Sequence, residues 1–172
     1  HYNEFFTTYF LMDYVEGDTL AKLIKNHDPW LTSESNVRRM FSELLDVVDY
    51  LHQNNVFHCD IKTDNVMLMH GTRNLMLIDL DKCYTDWLDI AQGELTRYGA
   101  SESEKAGPSV DFNGIGKIVQ RLDDFLPAFP TAAFKRFKEE CFCKDATIES
   151  LREALAPIKR PKKLWLTLVA IG

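Results

Sequence analysis

The sequence predicts a mainly α fold of the α+β class, a helical bundle with one small β-hairpin and a leading strand. Two patterns carry that expectation. Val37, Met40, Phe41, Leu44, Leu45, Val48 and Leu51 recur at three- and four-residue intervals, the stripe of a helix that buries one face. The runs Val66-Met67-Leu68-Met69 and Leu75-Met76-Leu77-Ile78 are separated by His70-Gly71-Thr72 and read as two strands joined by a tight turn. With 172 residues and 45% hydrophobic side chains, the chain has apolar material for one core.

From the start, Tyr9-Phe10-Leu11-Met12 is a short apolar run expected to form a buried strand, and residues 13–18 continue it as an extended linker and a turn. Leu20, Leu23 and Ile24 predict one or two helical turns. After Pro29 and Trp30, the side chains of Thr32-Ser33-Glu34-Ser35 are the expected caps of the long helix. Val56-Phe57-His58 is a short strand-like piece, and a polar loop from Cys59 to Asn65 leads into the hairpin. Between Lys82 and Pro108 no period is visible, and Gly93, Gly99 and Gly107 punctuate an expected loop. Phe112, Ile115, Ile118, Val119 and Leu122 then predict a second buried helix, residues 134–142 a third and residues 148–155 a fourth.

A formal net charge of −6 gives no overall basic footprint, which excludes nucleic acid as the expected partner. Cys59, Cys83, Cys141 and Cys143 match neither a paired zinc-site spacing nor a disulfide framework, so a reducing, cytoplasmic setting is expected. Residues 1–8 carry no basic segment followed by an apolar one, and the start reads as a cut through a longer protein.

The chemistry concentrates in His58-Cys59-Asp60-Ile61-Lys62-Thr63-Asp64-Asn65, which places an Asp, a Lys and an Asn at intervals of two and three within one loop. Phosphoryl transfer uses such a set. A carboxylate orients the attacking hydroxyl and accepts its proton, an ammonium neutralises charge on the transferred group, and an amide oxygen holds a metal ion. Asp79, at the end of the next strand, supplies a further hard oxygen ligand of the kind magnesium prefers.

This run resembles the protein-kinase catalytic loop H-R-D-L-K-x-x-N, and Asp79-Leu80-Asp81 resembles the D-F-G motif. The resemblance implies Asp60 as catalytic base, Lys62 on the γ-phosphate, and Asn65 and Asp79 as magnesium ligands, with ATP and Mg2+ as cofactors. It further implies Met12 as gatekeeper, Asp13, Tyr14 and Val15 as the hinge that reads adenine, and Asp18 or Thr19 facing the ribose. Met67 is the implied floor under adenine, His58 and Leu80 two members of a stacked spine, and Asp111 the anchor of the catalytic-loop backbone. The likeness runs from Phe10 to Leu155, so the expected fold is a protein-kinase-like C-lobe whose hairpin carries the catalytic loop. Lys62 is more similar to serine/threonine kinases, which makes ATP and a protein substrate the expected partners.

The chain departs from the family pattern at several places. Cys59 stands where an Arg would pair with a phosphorylated activation loop, as in the non-RD kinases, and Asp81 replaces the Gly of D-F-G. Tyr98-Gly99-Ala100-Ser101-Glu102 is an echo of Y-x-A-P-E, for which Arg152 stands as the substitute ion partner of Glu102. No glycine-rich loop and no V-A-I-K-like lysine precede Phe10, so the fragment alone is expected to be inactive. Two other readings stay open. Leu77-Ile78-Asp79-Leu80-Asp81-Lys82 is similar to the I-D-F-D-R motif of sugar and lipopolysaccharide-core kinases, and the departures also fit a pseudokinase that only binds.

Domain organisation follows as a C-lobe with hinge over residues 1–158 and a tail over residues 159–172. In the tail, Lys159-Arg160-Pro161-Lys162-Lys163 precedes Trp165 and an apolar run. That order fits the start of a membrane segment entered from its cytoplasmic face, and equally a last element packing on the domain. The sequence is silent on oligomeric state.

Overall fold

The computed structural model describes residues 14–85 and 107–157. Its elements are strand β1 (Gly17–Thr19), helix α1 (Leu20–Lys25), a 3-10 turn (Pro29–Thr32), helix α2 (Glu34–Gln53), strands β2 (Val56–Phe57), β3 (Val66–Met69), β4 (Leu75–Leu77) and β5 (Tyr84–Thr85), and helices α3 (Pro108–Phe125), α4 (Thr131–Cys141) and α5 (Ile148–Leu155). The strand expected at residues 9–12 lies outside the described residues, as do Met12, Asp13, residues 98–102 and the tail. Among the described residues no helix is long and apolar enough to cross a membrane.

Helix α2 is the spine of the bundle. Val37, Met40, Phe41, Leu44, Leu45 and Val48 are all buried on one face, each contributing on the order of 1.5–3 kcal/mol by leaving water. That face meets α4, whose Phe134 and Phe137 rings lie 6.0 and 5.2 Å from the ring of Phe41. Helix α4 packs in turn on α3 and α5. Helix α5 is bounded by a reciprocal cap in which Thr147 and Ser150 each accept the other's backbone N–H. Ser33 occupies the N-cap position of α2, but its hydroxyl pairs with that of Ser35 at 3.0 Å rather than with a helix N–H.

The strands form two antiparallel sheets, one in the order β1-β3-β4 and one of β2 with β5. Two corrections to the sequence reading follow. Residues 17–19, read as part of a turn, form β1 and pair with β3 in the register Gly17↔Met69 to Thr19↔Met67. A Cβ on Gly17 would stand 2.6 Å from the Leu68 carbonyl oxygen, so only glycine permits that approach. The polar loop from Cys59 to Asn65 is not held inside one hairpin but bridges the two sheets, because β2 pairs with β5 and only β3 belongs to the hairpin. Strand β5 had no periodic signal, since two residues are too short to show one.

Along β3 the side chains alternate, with Val66 and Leu68 buried against the bundle and Met67 and Met69 half-buried on the opposite face. The sheet therefore shows one apolar face to the core and one open face beside the polar loop.

Candidate functional site

Among the described residues the buried polar side chains are His58, Thr63, Asn65 and Asp111. Burying such groups costs free energy unless each finds partners. Here the partners are one another's neighbours. Asp111, in the first turn of α3 and wholly buried, accepts the backbone N–H of His58 at 2.9 Å and of Cys59 at 2.8 Å, with His52 Nε2 at 2.8 Å. His58 Nδ1 accepts the N–H of Asp60 at 3.3 Å, so the ring proton sits on Nε2, which donates to the Ile78 carbonyl at 3.1 Å. The loop is thus tied to α3 on one side and to the end of β4 on the other.

Helix α3 reaches the loop because Gly114 lets it. A Cβ at that position would meet the Ile61 carbonyl oxygen at 2.6 Å. A bond from Ala21 N–H to the Thr63 carbonyl at 2.9 Å secures the loop to α1 as well. Two residues here adopt left-handed backbone, Cys59 at φ 60° and Asp79 at φ 68°, a conformation that costs a side-chain-bearing residue of order 1–3 kcal/mol.

These ties hold Asp60 at the centre. Its Oδ2 accepts from Lys62 Nζ at 2.7 Å, Lys82 Nζ at 2.9 Å and Asn65 Nδ2 at 3.2 Å, while Asn65 Nδ2 also reaches the Asp60 carbonyl at 2.9 Å. Burial pushes the Asp60 carboxyl up, but the bonds from Lys62 and Lys82 outweigh it and hold the group below its ordinary range. Asp79 behaves oppositely. A hydrogen bond with the carboxyl of Asp81, then burial, then the charges of Asp81 and Asp60 push it up. The amide of Ile78, just before Asp79, donates to the Asn65 carbonyl at 2.9 Å, so the two loops share a backbone bond. Asp60, Lys62, Asn65 and Asp79 accordingly face one region.

The remaining expected site residues fall as follows. Met67 lies on the open face of β3, flanked across the strands by Thr19 and Met76. Val15 is half-buried just before β1 and Tyr14 is 90% exposed. Asp18 pairs with Lys22 at 2.5 Å and with His70 at 3.2 Å, bonds that hold its carboxyl below the usual range, Lys22 first. The Thr19 hydroxyl is spent as the N-cap of α1, accepting Lys22 N–H at 3.3 Å. Leu80, expected to stack with His58, is instead 57% exposed, because the left-handed turn at Asp79 carries it out of the core. Arg152 is engaged by Asp46 and Asp49 of α2 at 2.7 and 3.4 Å, which gives it partners other than Glu102.

Sequence reasoning missed two participants. His52 lies one helical turn after buried Val48 on α2, and that placement was the available signal. Lys82 appeared in the sequence only as one letter of a motif. Beside the site, a groove of about 380 Å³ opens between Lys62 and Asp64 of the loop and Lys117, Arg121 and Phe125 of α3.

Residues 2–85, a span that includes Asp60, Lys62, Asn65 and Asp79, match the protein kinase domain family. The chain belongs to the protein kinase family. It is similar to the serine/threonine-protein kinase PknA of Nostoc sp., 41% identical over 71 residues, which are 41% of this chain and 12% of that protein. The dual specificity protein kinase zakA of Dictyostelium discoideum is 38% identical over 71 residues, 41% of this chain and 9% of that protein. A probable serine/threonine-protein kinase KIN1 homolog of Enterocytozoon bieneusi is 31% identical over 127 residues, 69% of this chain and 20% of that protein. The chain thus spans a fifth or less of the length of each of these kinases.

Proposed function

We propose that this chain is the C-lobe part of a serine/threonine protein kinase and transfers the γ-phosphoryl of Mg-ATP to a protein hydroxyl. The observation that carries the reading is the meeting of Lys62 and Asn65 on Asp60, with Asp79 on the adjoining loop. Asp60 orients the acceptor hydroxyl and takes its proton, while Lys62 neutralises charge on the transferred phosphoryl. Rate then comes from positioning and electrostatics, with no covalent enzyme intermediate.

The residues fit a magnesium nucleotide. A hydrogen bond with Asp81, then burial, then the like charges of Asp81 and Asp60 raise the Asp79 carboxyl, and a divalent cation would offset the charge part of that effect. Asn65 spends its Nδ2 on Asp60 and keeps Oδ1 as the ligand atom. Magnesium is held by one or two carboxylates together with waters and phosphates, and the Asp79 carboxylate with the Asn65 amide oxygen is a donor set of that hard-oxygen kind. When bound, the ion supplies charge neutralisation on the phosphates. Asn65 and Asp79 would hold it, and Met67 on the open sheet face and Val15 before β1 would offer apolar surface to the adenine. Asp18 reaches a ribose hydroxyl only by exchanging Lys22 or His70. The groove beside Lys62 and Asp64 is the approach for the acceptor.

A second reading, transfer to a sugar hydroxyl, draws on Asp81 beside Asp79 and Lys82 on Asp60. One experiment separates the two. Mg-ATP labelled in the γ position is offered to the full-length protein with protein and sugar acceptors in parallel, and label is expected on serine or threonine. Asp60→Asn is expected to lower kcat by about 10²–10⁴-fold with nucleotide affinity retained. Label on sugar alone moves the reading to the second acceptor, and undiminished transfer by Asp60→Asn removes Asp60 as the base.

A further inference from the structure

Lys82 makes a contact that the proposed chemistry leaves unexplained. Its Nζ stands 2.9 Å from Asp60 Oδ2, beside Lys62 Nζ at 2.7 Å on the same oxygen. The third donor to that oxygen is Asn65 Nδ2 at 3.2 Å. Among the described residues, no hydrogen bond is made to Asp60 Oδ1. Three donors on one oxygen fix the carboxylate's rotation, an angle that is broad and two-fold for an unrestrained aspartate.

The lysine is itself placed by the backbone on both sides. Three residues earlier, Asp79 takes its left-handed turn, and the Cys83 N–H then closes on the Leu80 carbonyl at 3.2 Å, so the chain doubles back toward the polar loop. Two residues later, Tyr84 pairs with Phe57 in the β2–β5 ladder, next to the start of that loop. Lys82 is therefore delivered to Asp60 by the same segment that carries Asp79. The residue before Asp60 is Cys59, which brings no cation. Among the described residues, Lys62 and Lys82 are the two cations paired with Asp60, whose carboxylate has those of Asp79 and Asp81 nearby.

We infer that Lys82 is a positioning residue that clamps Asp60 by Oδ2 and leaves Oδ1 as the oxygen that receives the acceptor's proton. The inference rests on the kinase reading above. It deepens that reading by naming which carboxylate oxygen works and what keeps it aimed. The bland alternative is a half-exposed ion pair of small worth, since the Lys82 side chain is 33% exposed. The two differ in what they control, because a surface pair adds a little stability, whereas a clamp acts on turnover.

The test compares wild type, Lys82→Met and Lys82→Arg in the full-length protein, reading kcat, KM for Mg-ATP and thermal midpoint. Lys82→Met is expected to lower kcat by about 10- to 100-fold, the scale of a misplaced reacting group, with KM for Mg-ATP and the midpoint close to wild type. Lys82→Arg is expected to recover most of the loss, because a guanidinium still donates to the carboxylate. A Lys82→Met enzyme with wild-type kcat overturns the clamp and leaves the kinase reading standing, as does an arginine variant no better than methionine. Failure of wild type and every variant to transfer label to any acceptor removes the kinase reading and the clamp together.

Discussion

Asp111 Oδ1 accepts the backbone N–H of Cys59 at 2.8 Å across 52 residues of sequence. Cys59 sits at φ 60°, a left-handed backbone that few non-glycine residues adopt. The carboxylate stabilises that conformation by satisfying the amide it turns inward, with the His58 amide on its other oxygen at 2.9 Å. The residue that follows is Asp60, so the aim of the central carboxylate depends on a helix far along the chain.

Asp111→Ala should therefore be among the most damaging single substitutions. It strands two inward-facing backbone N–H groups and removes the partner of His52, at about 1–3 kcal/mol for each unsatisfied buried donor. A total loss of about 3–5 kcal/mol is expected from urea unfolding of the variant against wild type. A loss below about 1 kcal/mol would show that water or a neighbour replaces the carboxylate.

Gly114→Ala is expected to act from the same direction by a different force. The new Cβ would meet the Ile61 carbonyl oxygen at 2.6 Å and the Ile61 Cβ at 2.9 Å, and the backbone oxygen cannot swing aside as a side chain can. Overpacking of this kind costs about 1–3 kcal/mol. Because the strain lands on the loop between Asp60 and Lys62, turnover should fall by more than the stability loss explains. A variant with lowered thermal midpoint but unchanged kcat would separate the loop from the helix.

The cysteines give a pH prediction. Burial pushes the Cys59 thiol up to about 11, with the Asp111 charge adding to it, and burial followed by the Cys59 thiol pushes Cys83 up to about 12. The thiolate is the reactive form, so at pH 8 Cys59 is ionised in roughly one molecule in a thousand and Cys83 in roughly one in ten thousand. Iodoacetamide at pH 8 should label exposed Cys143 first, with Cys59 and Cys83 lagging until the pH rises toward 11 or denaturant returns them to water. Mass spectrometry of timed digests reads the order. Cys59 labelling at the rate of Cys143 would mean that the loop opens far more often than its hydrogen bonds imply.

The long helix, the hairpin and the last three helices were legible because apolar spacing is a local property. The stripe from Val37 to Val48 is buried as its period predicts, whereas the run Val66 to Met69 is apolar throughout and showed a strand without showing which of its faces is buried. The residue types at positions 60, 62, 65 and 79 were legible for a related reason, since an Asp, a Lys and an Asn in one polar loop carry their chemistry with them. The sequence alone thus determined a mainly helical fold with a small sheet, the residue types of the candidate site and the likeness to kinases.

Tertiary structure decided what those parts touch. No local pattern announces that Asp111 bonds the His58 and Cys59 amides, that Lys82 closes on Asp60, or that Thr19 spends its hydroxyl on α1. Nor could spacing reveal that Leu80 turns outward, because that follows from one backbone angle at Asp79. Strands as short as β1 and β5 exist only through their partners β3 and β2. Hydrogen bonds between distant segments depend on position to within fractions of an ångström, and position is fixed only when helices and sheets pack together.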